Sequence, residues 1–217
     1  MFVGHYAVAF AIKAAEPKTP LWATVVGCQL MDIAWSVFVV AGVEHANSDP
    51  SLPGSPFVLT DMPYTHSLPG SLAWSIAWGA FALVVLRQRA WAAALIGFSV
   101  FSHWLLDLVV HRPDLPLWFG GPKVGFALWN LPTVEETLEI GLLGLGAMAW
   151  TASRKALGLK LWPAFALMTL LIALQLVSIL APPAPNQPVA MGLSALVAYL
   201  IVVAASLPLD GPRKAPA

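Results

Sequence analysis

The chain consists of long apolar segments separated by short polar connections. Residues 2–15 form an apolar segment shorter than the roughly 20 residues that cross a bilayer, so they predict a short helix that packs into a bundle or re-enters the membrane. Six further segments predict spanning helices. Five lie at residues 21–43, 67–86, 91–111, 161–180 and 189–207, and another begins within residues 134–150. We therefore predict an all-α fold, a polytopic transmembrane bundle in one domain (1–207), with about six spanning helices and a short N-terminal helix. Residues 208–217 are predicted to be a cytoplasmic tail.

Composition supports a membrane location. The chain has 217 residues, of which 59% are hydrophobic and 10% charged, with a mean hydropathy of +0.76. Soluble domains carry about 25% charged residues, so membrane lipids are the expected surroundings. Eleven basic residues balance 11 acidic ones, which argues against a nucleic-acid-binding protein, since such a protein shows a basic face.

The distribution of basic residues predicts the orientation. If successive spans cross the membrane in alternating directions, nine basic residues fall on one side and two on the other. The side rich in lysine and arginine is normally cytoplasmic. The long loops at 44–66 and 112–133 then face outward, toward the periplasm if the chain is a multi-pass protein of a bacterial inner membrane. The nine are Lys13, Lys18, Arg87, Arg89, Arg154, Lys155, Lys160, Arg213 and Lys214, and the two are Arg112 and Lys123.

One predicted helix carries a polar stripe. In SHWLLDLVVHRPDLPL, residues 102–117, four-residue steps separate His103, Asp107 and His111. Such steps drift only about 40° around an α-helix, so the three side chains share a face. Pro113 disfavours helical geometry in the residue before it, so the helix is expected to end near His111 or Arg112.

Other ionisable residues are predicted at similar depth. At about 1.5 Å per residue, Asp32 lies roughly 16 Å below the outer end of its span, His103 roughly 12 Å and Asp107 roughly 6 Å. Charges inside a membrane are costly and usually face a cavity and a partner. Imidazoles and carboxylates together suit zinc, manganese or iron, so we predict a metal site; a proton and salt-bridge network without metal is the alternative. The remaining members of this outer group are His5, His66, Glu135 and Glu139.

Four segments resemble a known family. In order, GHYAVAF, QLMDI, PYTHSL and SHWLLDLVVHRPDLPL resemble the YdjM-like family of predicted membrane-bound metal-dependent hydrolases. The resemblance covers roughly residues 1–150 and implies that this part holds the metal site. Residues 151–207 are then expected to be scaffold.

A more distant similarity implies a ligand set. The order of His and Asp residues is similar to that of the zinc-dependent phospholipase C and P1 nuclease group, which holds three zinc ions and cleaves phosphodiesters. This similarity implies one to three ions, with zinc the first choice. Glu135 stands where that group has a further His, and the chain begins Met-Phe-Val where the group has a Trp. By this similarity Asp32, His66, His103 and Asp107 surround one metal, Asp107 and His5 hold a second, and His111 and Glu139 contribute to a third.

Together these features predict an integral membrane metal-dependent hydrolase. Its substrate is expected to be a small-molecule or lipid-linked phosphoester, attacked by a metal-activated water at the outer face, with Glu135 or Glu139 as general base. The alternative is a transporter of metal ions or protons, for which Gln29 and Gln175 are among the few polar candidates in the inner half. A structural or regulatory membrane protein is a third possibility. The oligomeric state and the exact substrate stay open.

Overall fold

Seven α-helices make up most of residues 1–180 and 187–210, the parts of the chain that the computed structural model describes. This confirms the all-α prediction. The short N-terminal helix is present, preceded by a 3₁₀ turn at Val3–His5. The helices are α1 (Tyr6–Ala15), α2 (Leu21–Val40), α3 (Leu68–Val84), α4 (Ala90–Val110), α5 (Pro132–Ala156), α6 (Trp162–Leu180) and α7 (Pro188–Ser206).

Four of these helices are long and apolar enough to cross a membrane: α2, α4, α6, and α7 with the 3₁₀ turn that follows it. The chain is therefore well suited to a bilayer. Helix α3 is shorter, at 17 residues. Helix α5 has 25 residues but carries an acidic first turn and a basic last turn. Spanning by these two helices, which would complete the expected six, stays a prediction.

Local sequence signals determine where the helices nearest the site begin and end. The Ser67 side chain caps α3 by accepting a hydrogen bond from Gly70 N at 3.1 Å, which satisfies a backbone donor of the first turn. Helix α4 ends at Val110 because His111 is extended, with φ −63° and ψ 146°. The predicted end near His111 is confirmed.

Two short hairpins lie in the long loops and were not predicted. Strand β1 (His45–Ser48) pairs antiparallel with β2 (Phe57–Asp61), and β3 (Leu115–Pro116) pairs with β4 (Lys123–Val124). Strands of two to five residues have too short an apolar pattern to be recognised in sequence.

The N-terminal and C-terminal parts of the domain pack onto α2 and α5. Helix α1 lies so close to α5 that a Cβ on Gly146 would be 2.7 Å from Ala7 O. Asp210 accepts two bonds of 2.9 Å from Leu21 N and one of 2.7 Å from Lys13 Nζ. The described residues up to Asp210 thus belong to the packed domain, including 208–210 of the predicted tail. The rest of the predicted tail, 211–217, lies outside the described residues.

Candidate metal centre

Four of the five histidines surround the carboxylate of Asp107. His103 Nε2 lies 3.0 Å from Asp107 Oδ2 and His5 Nε2 lies 3.1 Å from Oδ1. His111 Nε2 is 3.5 Å from Oδ1, and His66 Nε2 is 3.7 Å from Oδ2. Asp107 is 1% exposed, so these imidazoles are its surroundings in place of water.

A second carboxylate, Asp32, completes the cluster. Its Oδ1 lies 3.2 Å from His66 Nε2 and 3.4 Å from His103 Nε2. The ligand atoms form two groups of three, His5/His103/Asp107 and Asp32/His66/His103, and within each group they lie within 4.8 Å of one another. The structure thus brings five of the six predicted metal ligands into two sets that share His103. The sixth, His111, lies beside them with its Nε2 3.5 Å from Asp107 Oδ1.

The six residues come from different parts of the fold. His103 and Asp107 lie one turn apart on α4, and Asp32 lies on α2. His66 directly precedes the cap of α3, and His111 directly follows α4. His5 ends the 3₁₀ turn before α1. The centre therefore forms only when the N-terminal turn, α2 and α4 are packed together.

Hydrogen bonds on the outer side of two imidazoles determine which nitrogen faces the cluster. His103 Nδ1 lies 2.6 Å from the carbonyl oxygen of Cys28, which can only accept, so Nδ1 carries the hydrogen. His111 Nδ1 is bonded to Asp114 Oδ1 at 2.9 Å. In a neutral imidazole the opposite nitrogen then presents a lone pair. Both Nε2 atoms face Asp107 in the orientation that metal-binding histidines adopt.

Unsatisfied atoms at the centre test whether a metal fits. Among the described residues, His103 Nε2, Asp107 Oδ2 and both ring nitrogens of His5 are buried without a hydrogen-bond partner. His103 Nε2 and Asp107 Oδ2 are nevertheless 3.0 Å apart. Two lone pairs that face each other at this distance repel, so a shared cation or an added proton is required. Imidazole nitrogen and carboxylate oxygen are ligands of zinc, manganese and iron, and the donor set fits such an ion.

The two predicted general bases have different surroundings. Glu139 accepts hydrogen bonds from Phe2 N at 2.8 and 3.0 Å and from Gly4 N at 2.9 Å. Its carboxylate therefore holds the turn that presents His5. Glu135 lies one turn earlier on α5, 6% exposed and next to Glu139.

Several residues at the centre were not predicted as functional. Asp114, in the loop that follows α4, forms a hydrogen bond with His111 Nδ1. Tyr199, on a helix expected to be scaffold, packs with its ring centroid 5.9 Å from that of Phe2. The Met1 amine lies 3.4 Å from Asp107 Oδ1. For Asp114 and Tyr199 the sequence offers only a polar side chain in or beside an apolar segment, which is common in any membrane protein.

Comparison of the chain with family models, with curated proteins and with solved structures gives no match.

Proposed function

We propose that this protein is an integral membrane metal-dependent hydrolase that acts on a phosphoester or lipid-linked substrate. One observation carries the proposal: the Nε2 atoms of four buried histidines face the carboxylates of Asp32 and Asp107. Zinc is the first choice, with manganese or iron as alternatives. Membership of the YdjM-like family is part of this proposal, on the residues quoted above.

The ligand groups divide between two neighbouring positions. His103 Nε2 has one lone pair and can bind one ion, so His103 would complete either the set with Asp32 and His66 or the set with His5 and Asp107. The other pair would hold a second ion with fewer protein ligands. Bound ions would lower the pKa of a water molecule and neutralise negative charge on the attacked phosphoryl group. His111 Nε2 lies 3.5 Å from Asp107 Oδ1, at the edge of the set that contains His5 and Asp107.

The other carboxylates at the centre are assigned separate roles. Glu135 is the general base that takes a proton from the attacking water at its carboxylate oxygen. Glu139 is a positioning residue, because its oxygens are occupied by the Phe2 and Gly4 backbone amides. The exposed fraction of the Asp32 side chain is 13%, against 1% for Asp107, so substrate would approach from the Asp32 side.

The location of the centre supports a lipid-linked substrate. From the positive-inside distribution we infer that the centre lies near the outer, periplasmic face, at a depth of roughly 6–16 Å by helix rise. At that depth the headgroup of a membrane lipid can reach the ligands while its acyl chains stay in the bilayer.

Ion transport receives less support. The two glutamines considered for an inner path are hydrogen-bonded, one to the N-terminal segment and the other to α5. Gln29 Nε2 donates to Phe2 O at 3.1 Å, and Gln175 Nε2 donates to Glu136 Oε2 at 2.8 Å. Neither side chain therefore supports a path that continues from the cluster toward the inner face.

The metal content of detergent-purified protein tests the proposal. We expect one to three transition-metal ions per chain by elemental mass spectrometry. His103→Ala should lose them, because His103 belongs to both groups. His45→Ala is the matched control, since His45 is 62% exposed and pairs with Asp61 at 3.7 Å outside the cluster.

Activity and flux measurements then separate the two functions. Hydrolysis of a phosphodiester or phospholipid by metal-loaded protein, lost in Glu135→Gln with metal content retained, would support the hydrolase. Protein that stays metal-free after reconstitution with zinc or manganese would exclude the metal centre. Metal-loaded protein that moves ions across proteoliposomes without hydrolysing any ester would favour transport.

A further inference from the structure

Glu44 is a buried carboxylate that directly supports the residue beside a metal ligand. It follows α2 in the first long loop and is 1% exposed. Its Oε1 accepts hydrogen bonds from Tyr64 N at 2.8 Å and Thr65 N at 2.9 Å, and its Oε2 accepts from Thr65 Oγ1 at 2.6 Å. All three partners are donors, so both carboxylate oxygens act as acceptors.

The hydrogen bonds that connect His66, Thr65 and Glu44 all donate toward Glu44. The Thr65 hydroxyl has a single hydrogen, which points to Glu44 Oε2. Its oxygen, 2.8 Å from His66 Nδ1, must therefore accept from the ring. His66 Nδ1 carries the hydrogen as a result, and its Nε2 presents a lone pair 3.2 Å from Asp32 Oδ1.

We infer that Glu44 and Thr65 are positioning residues that select the metal-binding tautomer of His66. The inference rests on the proposed metal centre. Groups that bind the ring nitrogen opposite the metal fix the orientation of the imidazole and raise its basicity. Their loss typically weakens metal binding about 10- to 100-fold. In this protein the partner of His66 is the Thr65 hydroxyl. That hydroxyl is held in turn by Glu44, 21 residues earlier in the sequence.

Glu44→Gln tests the direction of these hydrogen bonds while preserving the shape of the side chain. The amide oxygen can still accept from the two backbone N–H groups, but the amide NH₂ then faces the Thr65 hydroxyl and donates to it. The Thr65 hydrogen is redirected toward His66 Nδ1, which favours the tautomer with hydrogen on Nε2. That tautomer presents no lone pair at Nε2, so we expect Glu44→Gln to weaken zinc binding about 10- to 100-fold.

Thr65→Val and Thr65→Ser separate the hydroxyl from the side-chain volume. Valine keeps the shape and removes the hydroxyl, whereas serine retains the hydroxyl. The matched control is Thr60→Val in the same loop, whose hydroxyl donates to His45 O at 3.0 Å and is exposed. Each full-length variant is purified in detergent, and zinc affinity is measured by competition with a chromogenic chelator, with the cobalt spectrum as a second readout.

A double-mutant cycle distinguishes positioning of His66 from general support of the loop. In a His66→Ala background, Thr65→Val should cause no further loss of zinc affinity, because the ring that the hydroxyl orients is gone. A further loss in that background would mean that Thr65 only supports the loop, and would overturn the inference.

The remaining outcomes are equally decisive. Weakened zinc binding in Glu44→Gln and Thr65→Val, restored to within about threefold by Thr65→Ser, with Thr60→Val unchanged, would support the inference. Wild-type affinity in both Glu44→Gln and Thr65→Val would overturn it and leave the proposed metal centre intact. A wild-type protein that binds no zinc or cobalt would overturn both.

Discussion

The close approach of α1 and α5 at Gly146 provides a sensitive test of how the centre is assembled. A Cβ at this position would lie 2.7 Å from Ala7 O and 2.8 Å from Ala7 Cα. Both atoms belong to the backbone and cannot move aside by rotating a side chain. Restoring an ordinary contact near 3.4 Å requires α1 and α5 to separate by about 0.7 Å, an overpacking that typically costs about 1–3 kcal/mol.

Gly144 is the matched control, two residues away on the same helix. A Cβ there meets nothing within 4 Å. Glycine-to-alanine substitution raises helix propensity equally at both positions, so the difference between Gly146→Ala and Gly144→Ala isolates the packing cost. For a chain of this size about 1–3 kcal/mol corresponds to a melting temperature roughly 2–12 °C lower.

The assay combines thermal unfolding in detergent with metal content. Because His5 lies just before α1 and is held from α5 through Glu139, displacement of α1 should also weaken metal retention in Gly146→Ala. Equal melting temperatures for Gly146→Ala and Gly144→Ala would refute the close packing of these two helices and the positioning of His5 that depends on it.

Two further predictions concern hydrogen-bonded carboxylates. Asp210→Ala should lower the free energy of unfolding by about 1–3 kcal/mol, since Leu21 N and Lys13 Nζ lose their shared acceptor; thermal unfolding measures this, and unchanged stability would contradict it. Asp114→Asn should weaken zinc binding about 10-fold, because His111 Nδ1 loses its charged acceptor. The control Asp49→Asn, on an exposed loop, should bind zinc as the wild type does in the same chelator competition. Equal zinc affinity of the two variants would contradict the role of Asp114.

The helices could be predicted because the signal for them is local. Apolar runs between Pro-, Gly- and charge-containing connections gave segments close to the observed helices, such as residues 91–111 for Ala90–Val110. The shared face of His103 and Asp107 follows from helical spacing alone. The hairpins at His45–Ser48 and Phe57–Asp61 have no comparable local pattern and were missed.

The candidate ligands could also be predicted, because ionisable side chains in apolar segments are costly and therefore conspicuous. Their separate roles could not. Glu139 was a candidate base, yet its carboxylate is occupied by Phe2 and Gly4 amides more than 130 residues away in the chain. Glu44, which binds Thr65 beside His66, lies in a predicted loop, where a carboxylate is ordinary in sequence. Only the structure shows that it is buried.

The sequence by itself determined the membrane character, the number and approximate bounds of the helices, and the set of polar residues that must face one another. Those properties depend on the transfer of apolar groups out of water and on helical periodicity, which act over a few residues. Only the tertiary structure decided that Asp107 lies at the centre, that His103 is shared and that the Nδ1 atoms of His66, His103 and His111 are bound on the outside. Hydrogen-bond direction and ligand distance depend on positions defined to a few tenths of an ångström, and these arise from packing between distant segments.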